Sequence, residues 1–223
     1  MIKYVLIDLD GTLLDFSKGE RKSFINTMNH ISYNPTEEDI KLFSKINEEE
    51  FKQYEKGLKT RPEFHHARFK RLKESLNLDY DIDLTNKYYV NELKYSAEVY
   101  DDALDFILYL YNKYDLFIAS NGISDIQAKR MELAKLDKYF KKYYISEEAL
   151  ANKPDIKFFN YIFNDLSDFD KSNYIIIGDR LDADIIGGIN AGIKTIYINR
   201  NNINNDIKPD YEIKDLREIK NIL

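Results

Sequence analysis

A chain of 223 residues with formal net charge -6 at pH 7 and no cysteine has room for one large domain, or for a core carrying a modest insertion. The acidic balance and the lack of a basic cluster exclude a nucleic acid polymer as the expected partner, though not a small anion in a local pocket. The missing cysteines exclude disulfides and thiol chemistry and agree with a reducing compartment. The first apolar run, Ile2–Ile7, is too short for a signal peptide, and no run approaches membrane-spanning length. A cytoplasmic protein away from the membrane is expected.

Ile2-Lys3-Tyr4-Val5-Leu6-Ile7 reads as a buried strand that stops at Asp8-Leu9-Asp10-Gly11-Thr12. Side chains two apart on an extended chain point the same way, so Asp8 and Asp10 are candidates to face one ligand at the strand's carboxyl end. Two carboxylates so close repel unless a cation sits between them or one keeps its proton. On this stretch alone, an ordinary Asp- and Gly-containing turn is an equal reading.

Residues 15–98 are charged and nearly free of glycine. Apolar stripes at helical spacing mark Phe24, Ile25 and Met28, then Ile40, Phe43 and Ile46 behind the cap-like Pro35-Thr36-Glu37-Glu38. Phe64, Phe69 and Leu72 mark a third helix, and Tyr88, Tyr89 and Leu93 a fourth, with Gly57 the break between Tyr54 and Pro62. The spacing predicts an all-helical insertion that divides the first strand from the rest of its sheet.

From Asp101 helix and strand alternate. Helices are predicted over 103–111, 124–136, 157–163 and 181–191. Strands are predicted over 116–119, 143–145, 174–177, 195–198 and, at an edge, 211–213 before a C-terminal helix. Such alternation implies right-handed crossovers and an α/β, doubly wound, mostly parallel Rossmann-like sheet. The core is expected over 1–14 and 99–223 and the helical cap over 15–98. An asparagine-rich loop, Asn199 to Asn205, interrupts the pattern.

Three strand ends carry polar residues suited to one site. Ser120-Asn121-Gly122 offers a hydroxyl, an amide and backbone N–H groups of the kind that hold phosphate oxygens, though the same triplet is often a plain turn. Lys153-Pro154 precedes a helix, where a lone lysine is usually solvated; placed inward, it is a fixed charge for a phosphoryl group. Gly178-Asp179-Arg180-Leu181-Asp182-Ala183-Asp184 brings three acids to an opening helix. Facing a second Asp pair, they call for a cation, and a set of oxygen ligands without a Cys or His cluster favours Mg²⁺ over zinc. His30, His65 and His66 all lie in the insertion and suit packing or surface roles.

The ordered set DLDGT, SNG, KP and GDRLDAD resembles the four motifs of the haloacid dehalogenase (HAD) superfamily, with the helical cap between the first two. The likeness covers essentially the whole chain. The resemblance implies that Asp8 is the nucleophile of an aspartyl-phosphate mechanism and that Asp10 is its acid and base. It implies Mg²⁺ held by Asp8, the Asp10 carbonyl, Asp179 and, through water, Asp184. It implies phosphoryl binding by Ser120 and Lys153, with backbone N–H groups around Leu9 and Asn121. Dehalogenases lack an acid at the position of Asp10, because halide leaves without a proton, so phosphoester chemistry is implied. Asp182 has no assigned role.

The stretch from Phe51 through Gly57 to Arg68-Phe69 is similar to the bacterial pyrimidine 5′-nucleotidase branch. That likeness makes nucleoside 5′-monophosphates the expected class of small phosphorylated substrate. Phe16, Lys18, Tyr54 and Gly57 of the cap are the candidate substrate contacts, although helical aromatics are more often core. A sugar phosphomutase shares the Asp pair and stays open. A receiver-like domain also sets Asp, Ser or Thr, and Lys around a metal, but has neither cap nor Asp10 equivalent. A monomer or weak homodimer is expected.

Overall fold

The computed structural model describes residues 1–204 and 206–223; Asn205, the end of the asparagine-rich loop, lies outside the described residues. Two compact units form, Met1–Phe16 with Ala97–Leu223, and Ser17–Ser96.

The first unit is built on a six-stranded sheet of β1 (Tyr4–Ile7), β2 (Asp115–Ser120), β3 (Lys142–Ile145), β4 (Tyr174–Gly178), β5 (Lys194–Ile198) and β6 (Tyr211–Ile213). Its order is β3-β2-β1-β4-β5-β6, and each neighbouring pair is parallel. β1 lies between β2 and β4, and helices cover both of its faces, which is why Val5-Leu6-Ile7 is apolar without alternation. Val5 and Ile7 join the core beneath α5 (Ala103–Tyr111) and α6 (Ser124–Ala134). Leu6 faces the other way, with Phe158, Phe159, Ile162 and Phe163 of α7 (Ile156–Leu166). Burying each such side chain stabilises the fold by about 1.5–3 kcal/mol. Chain order reverses between β1 and β4, so the carboxyl ends of those strands form the crevice where open α/β sheets place ligands.

Two sequence expectations need correction. The helix predicted over 181–191 opens instead as a wide π turn, Leu181–Ile185, in which both Asp184 and Ile185 N–H groups donate to the Arg180 carbonyl. The regular helix is only Ile186–Ala191; such π turns recur at functional sites. The C-terminal helix is a short 3₁₀ segment, Leu216–Asn221, capped by Asp215 and Glu218.

The second unit is helical. It holds α1 (Phe16–His30, whose first residue belongs to the sheet unit), α2 (Glu37–Glu55), α3 (Arg61–Leu76) and α4 (Ile82–Lys94). Thr36 and Thr60 open α2 and α3 with reciprocal side-chain caps to Asp39 and Glu63. Phe24, Phe43, Phe69 and Tyr89 form the centre, with the Phe24 and Phe43 rings stacked at 4.3 Å. Among the described residues no helix is long and apolar enough to cross a membrane.

Candidate active site

The register levels Ile7 with Ile118 on β2 and with Ile177 on β4. Asp8 follows at the end of β1, and Ser120 and Asp179 come one residue further along the neighbouring chain segments, so all three emerge at the same end of the sheet. Carboxylate oxygens of Asp8, Asp179 and Asp184 lie within 4.8 Å of one another. Acids from opposite ends of the chain thus meet. At that separation, and at an effective dielectric of roughly 20, each ionised pair repels by about 3 kcal/mol or more.

One ammonium offsets part of this. Lys153, 1 % exposed, donates from Nζ to Asp8 Oδ1 at 2.7 Å, to Asp184 Oδ1 at 2.6 Å and to the Ala119 carbonyl. Its loop is fixed by Asn121, whose Nδ2 donates to the Lys153 carbonyl at 2.9 Å while its Oδ1 accepts from Lys153 N–H at 2.8 Å. Burial alone would lower the lysine; Asp184 and Asp8 outweigh it and hold the ammonium above its usual range. Burial pushes the Asp8 carboxyl well up, Lys153 opposes, and Asp184 and Asp179 add to the rise. Burial and then Asp184 push Asp179 up to about 7, against a hydrogen bond from Thr12 Oγ1 at 3.2 Å. Three carboxylates against one ammonium, all with oxygen donors, suit a hard divalent cation.

Glycines make the approach possible. A Cβ on Gly11, which has φ +85°, would fall 2.1 Å from Asp179 Oδ2, and one on Gly178 would fall 2.1 Å from Asp184 Oδ2. The first-strand turn is braced by Arg200, which donates to the Thr12 carbonyl at 3.1 Å and to both oxygens of Asp102.

A pH dependence follows from Asp179. Its folded-state value lies above the ordinary 3.8, so the unfolded chain releases this proton first. The contribution to stability is present below about 4 and is lost as pH rises towards about 7. Chelator-treated protein is expected to melt lower near neutral pH than in mild acid, and Asp179→Asn is expected to flatten that slope. An equal slope in both proteins would remove Asp179 as the cause.

Asp10 does not turn its carboxylate to Lys153. Its Oδ1 accepts from Arg130 at 2.6 Å and its Oδ2 from Gln127 Nε2 at 2.7 Å, both on α6. Sequence reasoning missed this pair, although a signal existed. Ile126, Gln127, Arg130 and Met131 share the buried face of α6, so two polar residues stand where an amphipathic helix would be apolar. Asp182 faces outward, chelated by Arg180.

Of the cap candidates, Phe16 and Lys18 stand in the first turn of α1, Lys18 exposed. Tyr54 ends α2, accepting a hydrogen bond from Arg61 at 2.7 Å and stacking on Phe64. Gly57 turns the chain at φ +69°. His30 stacks on Tyr88, His66 meets Asp83, and burial with Arg68 and Arg61 nearby lowers His65 to about 3.

A family model described as haloacid dehalogenase-like hydrolase matches residues 5–198. The Bacillus subtilis protein YfnB is 34% identical over 98% of this chain and 94% of its own length. Its crystal structure, solved bound to magnesium, superposes with a TM-score of 0.94, at 32% identity over 100% of this chain and 98% of that chain. Pyrimidine 5′-nucleotidase PynA of Streptococcus pneumoniae is 31% identical over 99% of this chain and 97% of its own. Pyrimidine 5′-nucleotidase YjjG of Escherichia coli is 28% identical over the same shares.

Proposed function

The chain belongs to the haloacid dehalogenase-like hydrolases, and from that premise we propose that it is a Mg²⁺-dependent phosphomonoesterase acting on nucleoside 5′-monophosphates through an aspartyl phosphate. The observation that carries this reading is the buried Lys153 ammonium joined to Asp8 and Asp184 inside a group of three carboxylates. Such a site offers a nucleophile, a fixed positive charge and an all-oxygen cation seat together.

Asp8 attacks phosphorus and the bond from phosphorus to the ester oxygen breaks, while Asp10 gives its proton to the departing alkoxide. Asp10, now a carboxylate, takes a proton from the water that attacks the acyl phosphate, which frees inorganic phosphate and restores Asp8. Ser120, Lys153 and the backbone N–H groups of Leu9 and Asn121 hold the phosphoryl oxygens throughout, so the charge built up in the transition state meets fixed donors. Asp8, Asp179, Asp184 and the Asp10 carbonyl are the residues that would hold Mg²⁺, which supplies positive charge against the phosphoryl oxygens when bound. The nucleotide assignment is supported by the names of PynA and YjjG. It assigns substrate contacts to Phe16, Lys18, Tyr54 and Gly57.

Phosphate release measured over pyrimidine and purine 5′-monophosphates, sugar phosphates and phosphoglycolate tests the reading. Pyrimidine nucleotides are expected to turn over best with Mg²⁺. EDTA should silence the enzyme and added Mg²⁺ restore it. Full activity after exhaustive chelation, or a preference for sugar phosphates, would overturn it.

A further inference from the structure

We propose that Arg130 and Gln127 of α6 are positioning residues for Asp10, together forming a dock that fixes its carboxylate relative to the phosphoryl-binding Ser120. The inference rests on the phosphomonoesterase reading, in which Asp10 protonates the leaving group.

The geometry is a closed network. Arg130 donates to Asp10 Oδ1 at 2.6 Å and to Gln127 Oε1 at 3.0 Å. Gln127 Nε2 spends its two hydrogens on Asp10 Oδ2 at 2.7 Å and Ser120 Oγ at 2.9 Å. One amide therefore sets the spacing between the acid and the serine. Arg130 and Gln127 are 1 % and 2 % exposed, so water does not readily substitute for either. A buried arginine and glutamine cost desolvation that an apolar pair at these positions would avoid, and what they contact is the motif carboxylate. Gly122 provides independent support. A Cβ there would fall 2.5 Å from Gln127 Nε2 and 2.8 Å from its Cγ and Cδ, so the glycine of Ser120-Asn121-Gly122 clears the way for this side chain.

The dock leaves Asp10 competent. The two carboxyl oxygens have about four lone-pair sites between them, and α6 fills one on each, which leaves a site free to carry the proton that Asp10 delivers. A phosphomonoester held at Ser120 places its ester oxygen at a set distance from phosphorus, and a carboxyl fixed to the same amide is held in register with it. Loss of that register should harm proton delivery and spare phosphoryl binding.

The test compares leaving groups. kcat/KM reports steps up to the first irreversible one, here formation of the aspartyl phosphate, so hydrolysis of the intermediate drops out. p-Nitrophenolate departs without a proton, whereas an alkoxide needs one. Asp10→Asn is the control and should lose about 10²–10⁴-fold on the best alkyl phosphate of the panel, with little change on p-nitrophenyl phosphate. Arg130→Met should show the same selectivity, with a loss on the order of 10²-fold on the alkyl ester, and Arg130→Lys should recover part of it. The double variant with Asp10→Asn should lose no more than Asp10→Asn alone. Should Arg130→Met fail to fold, Gln127→Met carries the comparison from the other oxygen. Equal losses on both esters, or none, in the α6 variants would overturn the positioning role while Asp10→Asn stays selective. An unselective Asp10→Asn would instead overturn the proton-donor reading beneath it.

Discussion

Asp8→Asn is expected to lower phosphate release by on the order of 10⁶-fold, the scale seen when a covalent nucleophile is removed from a hydrolase, with the fold intact. The amide keeps the shape of the carboxylate and the hydrogen-bonding oxygen that meets Lys153. It cannot form the acyl phosphate. Stability should hold or rise in metal-free protein. Burial with Asp184 and Asp179 places the Asp8 carboxyl above its unfolded value, so above that unfolded value its ionisation opposes folding, and the neutral amide removes that cost. Purified variant protein checks both halves, by phosphate assay and by thermal melt. Appreciable turnover would refute the nucleophilic assignment, and a lower melt would show that Lys153 depends on this carboxylate for its place.

The sheet and its strand-end motifs were legible because both are local. A run such as Val5-Leu6-Ile7 has to be covered on both faces, and a parallel sheet supplies that cover. Acids at the ends of two such strands then meet wherever the strands are neighbours, as β1 and β4 are. What lay beyond the sequence depends on partners far along the chain. Gln127 and Arg130, three apart on a helix, carried no assigned role in the sequence, because their partner Asp10 lies over a hundred positions away (120 for Arg130). Asn121 looked like a phosphate-loop residue, yet its side chain clamps the Lys153 backbone. The π turn at Leu181–Ile185 escaped because 181–191 carries a helical pattern. In the structure both amides after Ala183 share one carbonyl and Asp184 turns back past the bare Cα of Gly178.

Lys153→Met is expected to damage stability and turnover together, in a way that Mg²⁺ separates. The substitution keeps most of the buried stem and removes the ammonium from between Asp8 and Asp184. Breaking a buried ion pair from one side costs about 3–5 kcal/mol, on the order of 10 °C in melting temperature for a chain of this size. The sign is fixed by the lysine. Its folded-state value is raised above the ordinary 10.5, so its stabilisation is fully present at neutral pH and fades only in stronger base. Its removal is therefore felt in full under assay conditions. The orphaned carboxylates then attract a divalent cation more strongly, and Mg²⁺ should raise the melting temperature of the variant by more than that of the parent. Turnover should stay low even with saturating Mg²⁺, because the ammonium assigned to the phosphoryl oxygens is gone and Met offers no charge in its place. Melts and phosphate release, each with EDTA and with Mg²⁺, decide the matter. A variant that melts with the parent in EDTA would mean that the carboxylates are not held as charges, and one that regains turnover with Mg²⁺ would strip Lys153 of its part in phosphoryl binding.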